Sequence, residues 1–261
     1  MDAVSAMDWN LDNTVLGMAS VGIRISGLLL FAPFFGSDAI APRIKIGFVL
    51  AITALLYPVS SPRGLELSTS GILRVTVGEL LVGLLIGLSA QLVFEAAQFA
   101  GQLMGVQVGF SLVNILDPNT QVDTPVLSLF SQTILMLIFL RFGMHRCLLR
   151  AVAASFAYLP PGATSLPGGV AQELLRAAGG IWLTGVQIAA PLLITTMLAD
   201  FLLGFLGKAS PQLPVLFLGL SVKSLAGLTV LAMALKYWPG IFEQQFNHAA
   251  RSAEQMLHLV H

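Results

Sequence analysis

The chain has 261 residues, of which 56% are hydrophobic and 10% charged, with a formal net charge of zero. Soluble domains carry about 25% charged residues, so this composition, with a mean hydropathy of +0.85, belongs to a membrane protein. Neutral balance gives no support to nucleic acid or a strongly acidic substrate as a partner, and a single cysteine, Cys147, excludes an internal disulfide framework and is expected to be a small packing residue.

Met1 to Asn10 read as a short acidic tail; the absence of Lys or Arg before Arg24 does not fit a cleaved signal peptide. The first span is expected over 11–32. The segment Phe31–Arg43, with Pro33, Gly36 and Pro42, reads as a turn, and a second, shorter span over 44–59 ends near Pro58. Pro62 and Gly64 mark a loop. An apolar stretch from Ile72 to Gly109 follows. As a helix it would exceed roughly 50 Å at 1.5 Å per residue, against a hydrocarbon core of about 30 Å, so it must tilt, bend or project.

Residues 110–125 read as a loop centred on Asp117-Pro118. A fourth span covers 126–141, and 143–158 suggests an amphipathic helix with Arg146 and Arg150 one turn apart. The Pro/Gly-rich stretch 160–169 breaks the chain. A fifth stretch runs over 171–209 with a kink expected at Pro191. Pro211 and Pro214 make the next turn, and a sixth span over 215–237 ends at Pro239-Gly240. The tail 241–260 carries apolar or small residues at 242, 246, 249, 253, 256 and 260, one face of a helix. That face fits either the membrane surface or a partner.

The charged residues inside these apolar stretches include Arg24, Glu79, Glu95, Asp200, Lys208 and Lys223. A charge at the bilayer centre costs about 2.5–3.5 kcal/mol on insertion scales, so these side chains are expected to face protein, water or one another. Asp200 and Lys223 fall at similar depths on either side of the turn near 211 and are expected to pair, as a structural salt bridge or a proton relay. No partner within the chain is evident for Arg24 or Glu79. Gln91, Glu95, Gln98 and Gln102 step by four, three and four and share one helix face. That face suits a hydrophilic conduit lining or helix packing through satisfied amides; the small residues Gly83/Gly87 and Ala97/Gly101/Gly105 favour packing. Enzyme signatures of the HExxH, GxSxG, Walker A and CxxC types do not occur, so no catalytic, cofactor-binding or metal-ligating residue is expected.

Three segments carry a family likeness. GQLMGVQVGFSLVNILDPNTQVDTPVLS (101–128), LADFLLGFLGKASPQLPVLFLGLSVKSLAGL (198–228) and RISGLLLFAPFFGSDAIAPRIKIGFVLAITALLYP (24–58) resemble the FliR/SctT family of export-gate subunits. The resemblance implies an all-α polytopic protein of about six long, partly kinked helices arranged as hairpins, built for assembly into a helical complex. It implies a FliP-like part over 1–160, a FliQ-like hairpin over 171–238 and the amphipathic tail beyond. It further implies a non-enzymatic subunit of a flagellar or injectisome type III secretion gate in the bacterial inner membrane, the flagellar basal body being favoured; a stand-alone ion-coupled membrane transporter is the alternative reading of the same chain. Its partners would be FliP-, FliQ- and FlhB-like subunits, an FlhA-like subunit and unfolded export substrates. By the same resemblance a plug loop spans about Gly105–Pro125 and includes Gly109, Phe110, Asn114, Asp117 and Pro118. The turn at Lys208, Pro211 and Gln212 would face the cytoplasmic entrance. Pro214 stands where many flagellar members have Asn. Both termini would be extracytoplasmic, against a count of loop Lys and Arg that points the C-terminal tail inward.

Overall fold

The computed structural model describes residues 2–36, 40–60, 68–110, 126–161, 169–210, 212 and 215–259. Among these, eight helices occur and no strand: α1 (Asp2–Phe31), α2 (Pro42–Ser60), α3 (Thr69–Val108), α4 (Val126–Arg141), α5 (Met144–Tyr158), α6 (Gly169–Ala209), α7 (Val215–Ala234) and α8 (Trp238–Leu259). Three helices are long and apolar enough to cross a membrane, or up to five spans if each of two bent helix pairs counts as one. The all-helical, polytopic expectation therefore holds.

Element positions follow local chemistry. The stretch expected to outrun the bilayer is one helix of 40 residues, α3, about 60 Å long. It closes with a Schellman arrangement: Gly109, at φ 94°, donates to the Val106 carbonyl at 3.2 Å and Phe110 donates to that of Gly105 at 3.1 Å. A left-handed residue after the last helical turn is a position that glycine fills without Cβ strain. Between α4 and α5 the break is Phe142-Gly143, with Gly143 again left-handed at φ 66°. Pro191 does not end α6, which runs through it for 41 residues. Pro239, expected to terminate a span, instead lies in the first turn of α8, where its missing N–H would be unpaired in any case.

The chain forms two compact units, each assembled from separated segments: 1–92, 140–178 and 246–261 in the first, and 93–139 and 179–245 in the second. The first is built on Val21, Ile25 and Leu28 of α1, Val82 and Ile86 of α3, Val152 and Phe156 of α5, and Met256 of α8, with Phe48 and Ile52 of α2 packed alongside. Here α1 and α3 touch backbone to backbone. A Cβ on Gly87 would lie 2.6 Å from the Leu28 carbonyl and one on Gly27 would lie 2.5 Å from that of Leu80, while one on Gly83 would run into the Arg24 carbonyl. The second unit buries Ala96, Ala97, Ala100 and Met104 of α3, Leu127 and Leu135 of α4, Ile188 and Leu192 of α6, and Trp238 and Phe242 of α8. Its aromatic contacts include Phe94 edge-on to Phe139 at 5.6 Å.

The tail corrects one expectation. Phe242, Phe246, Ala253 and Met256 on the apolar face of α8 are all buried within the chain itself. Those four positions are therefore covered by the chain itself rather than by a lipid surface or a partner.

Candidate functional site

Arg24 and Glu79, which the sequence left without partners, are each other's partner. Both are fully buried, with Arg24 Nε 2.6 Å from Glu79 Oε2. The other guanidinium nitrogens reach α5: Nη1 donates to Ser155 Oγ at 2.8 Å and Nη2 to the Leu159 carbonyl at 2.9 Å. Ser155 uses its own proton on the Val152 carbonyl, so its hydroxyl both donates and accepts. Phe156 places its ring 4.0 Å from the guanidinium carbon, a desolvated cation–π contact. Leu159 is the C-cap of α5, the end where backbone carbonyls lack helical partners and a cation is favoured. One arginine thus ties α1, α3 and the end of α5. The sequence did carry a signal for it. Arg24 lies three residues before Gly27, and Glu79 four before Gly83, the glycines at which the two helices touch.

The one pair that was expected, Asp200 with Lys223, forms as read. Lys223 Nζ donates to Asp200 Oδ2 at 2.7 Å, joining α6 to α7. Its surroundings differ from those of Arg24, since the Lys223 side chain is 19% exposed and that of Asp200 52%. Around Asp200, the α6 residues Met197, Leu198, Phe201 and Leu202 are also exposed, so in the isolated chain a half-open ion pair sits in an apolar surface. Lys208 is exposed, as is Gln212. Neither Lys208 nor Asp200 is therefore buried by this chain alone, whereas Glu95 is partly buried.

The glutamine face divides. Gln98 Oε1 accepts from Gln132 Nε2 of α4 at 2.8 Å, and Ser128 of α4 donates to the Gln98 backbone carbonyl at 3.1 Å. This half of the face is helix packing, made possible by Gly101, where a Cβ would meet the Ser128 Cα at 2.5 Å. Gln91 is partly buried and Gln102 exposed. Glu95, Gln98 and Gln102 line an open groove of about 270 Å³ with Phe99, Ile181 and Trp182, in which Phe99 meets Trp182 edge-on at 4.6 Å.

At the root of the expected loop, Gly105 is buried, Gly109 half-buried and Phe110 37% exposed. Asn114, Asp117, Pro118, Pro125 and Pro211 lie outside the described residues. No grouping of three or more His, Cys, Asp or Glu that could hold a metal occurs among the described residues.

An apolar helical chain with a charge-knotted core and an ion pair left half-open on its surface is suited to assembly, and comparison with known proteins agrees. The family model for bacterial export proteins, family 1, matches residues 15–249. The chain belongs to that family. It is 31% identical over 244 residues to the flagellar biosynthetic protein FliR of Pectobacterium carotovorum subsp. carotovorum, covering 92% of both chains. The Bacillus subtilis protein of the same name is 28% identical, with 92% of this chain and 94% of the relative covered. The secretion system apparatus protein SsaT of Salmonella typhimurium is 27% identical, with 88% and 91% covered. The match runs from within α1 to within α8 and takes in every helix between them.

Proposed function

We propose that this protein is a non-enzymatic subunit of the flagellar type III export gate, one that helps form and close a membrane pore for unfolded proteins. The observation that carries the reading is the near full-length family match, together with relatives called flagellar biosynthetic proteins. The similarity to SsaT supports an injectisome gate of the same design as the second reading. In either system the protein works in the inner membrane with FliP-, FliQ-, FlhB- and FlhA-like subunits, its 1–160 part being the FliP-like portion and its 171–238 hairpin the FliQ-like one.

On this reading the segment Gly105–Pro125 occludes the path. Gly109 supplies the left-handed hinge at its root, and the Asp117-Pro118 step stiffens its centre. Lys208 and Gln212, both exposed, face the wet entrance. The exposed Asp200–Lys223 pair becomes a polar contact between subunits, since an ion pair left facing hydrocarbon would be costly.

Two measurements test the proposal. Gentle detergent extraction should recover this chain with several FliP- and FliQ-like chains; recovery as a monomer or homo-oligomer would exclude a gate subunit. Deleting residues 110–120 in the assembled complex should raise ion leak across the membrane, and unchanged leak would exclude the plug.

A further inference from the structure

The break between α4 and α5 carries a concentration of positive charge that the chain itself leaves unanswered. Arg141 is the last residue of α4, and Arg146 and Arg150 stand one turn apart on α5. All three are exposed, and none has a side-chain hydrogen bond or ion pair with another described residue. The sequence supplies no counter-charge nearby, since no Asp or Glu occurs between Asp123 and Glu173. Gly143 draws the cluster together. Its left-handed φ of 66° turns the chain between the two helices, and the Arg146 guanidinium folds back over it, with Nη2 2.7 Å and Nε 2.9 Å from where a Cβ would stand. The fold gains nothing from this arrangement, because Arg146 lies in the first turn of α5, the end at which a helix disfavours a cation. Apolar surface adjoins the charge: Leu140 and Phe142, on either side of Arg141, are both exposed.

We propose that this elbow is a binding site for the headgroup of an anionic phospholipid, with Arg141, Arg146 and Arg150 on the phosphate and Leu140 and Phe142 against the first acyl carbons. Guanidinium groups hold phosphate through charge-assisted, often bidentate hydrogen bonds. Two features favour a lipid over an acidic protein segment. The α4–α5 pair has the length and composition of a membrane span broken at this point, so the arginines stand where an apolar helix ends and headgroups begin. The exposed Leu140 and Phe142 suit acyl chains, whereas an acidic peptide answers the charge alone. The site needs a membrane and not the export gate, so it stands independently of the function proposed above.

The purified full-length chain, with any subunits that accompany it, provides the test in neutral detergent. Fluorescence anisotropy reads the binding of NBD-labelled phosphatidylglycerol, with NBD-labelled phosphatidylcholine as the zwitterionic control. Each arginine should contribute about fivefold to affinity. Combining Arg141→Gln, Arg146→Gln and Arg150→Gln should therefore weaken phosphatidylglycerol binding by at least about tenfold and leave phosphatidylcholine unchanged. Equal phosphatidylglycerol affinity in variant and parent would overturn the site. So would a parent that binds both lipids alike, or one in which an accompanying acidic chain excludes phosphatidylglycerol. Should the triple variant not be recovered folded, the parent supplies the second reading. Its phosphatidylglycerol affinity should fall several-fold as NaCl rises from about 50 to about 500 mM, and an affinity independent of salt would overturn the site.

Discussion

Arg24 and Glu79 stand 55 residues apart in sequence and 2.6 Å apart in space, at the point where α1 and α3 come into backbone contact. Each makes the other tolerable: the pair is sealed from solvent, and neither charge has water to fall back on.

Removing one member should therefore be far worse than removing both. Arg24→Ala leaves a buried carboxylate uncompensated, a loss of about 3–5 kcal/mol, and also takes the side-chain donor from the Leu159 carbonyl. The double variant Arg24→Met with Glu79→Leu should recover more than half of that loss. Thermal unfolding of the purified assembly, followed by a double-mutant cycle, measures both. If the double variant is less stable than either single one, the pair is not mutually compensating.

Close approach makes a second prediction. Gly83→Val places side-chain carbon where the Arg24 carbonyl stands and should cost about 1–3 kcal/mol or more through backbone displacement. Gly47→Ala in α2, with open space around the added methyl, should be neutral or stabilising by up to about 1 kcal/mol through helix propensity. Comparing their melting temperatures separates packing from propensity.

The Asp200–Lys223 pair should behave in the opposite manner to the Arg24 knot. Because it is substantially exposed, Lys223→Ala should alter the stability of the isolated chain by no more than about 1 kcal/mol. The same variant should reduce recovery of FliQ-like subunits in co-purification several-fold. Equal recovery from variant and parent would show that the pair does not contact a partner.

Amide packing between α3 and α4 gives a smaller effect. Gln132→Leu removes the donor to Gln98 and should cost about 1 kcal/mol, within the range for hydrogen bonds between helices in membranes. The double variant with Gln98→Leu should show a coupling energy of similar size in a stability cycle.

Much of the architecture can be read from the sequence because it depends on local signals. The α4 bounds coincide with the expected 126–141, and α5 begins one residue later than expected, since Gly143 and the prolines after Leu159 punctuate the chain. Asp200–Lys223 is legible because a hairpin turn near 211 equates depth on its two arms. Arg24–Glu79 is harder, because nothing in either helix alone says which others it crosses or at what height. Pro239 misleads for a related reason: a proline both ends one helix and begins another, and only the neighbouring geometry decides which. The burial of α8 is also invisible to periodicity, which reports that an apolar face exists and is silent about what covers it. The loop residues Asn114, Asp117 and Pro118 owe their proposed role to family likeness alone.

The distance of 55 residues between Arg24 and Glu79 also has a meaning in time. At roughly 5–20 residues per second of synthesis, Arg24 exists for about 3–11 s before its counter-charge has been made, and Ser155 and Leu159 arrive later still, 131 and 135 residues after it. Throughout that interval the first helix carries a bare guanidinium that the finished protein never exposes. The nascent chain must keep it at the membrane–water boundary or against other protein until the third helix arrives, so a knot sealed from solvent in the finished molecule is a vulnerable point of its birth.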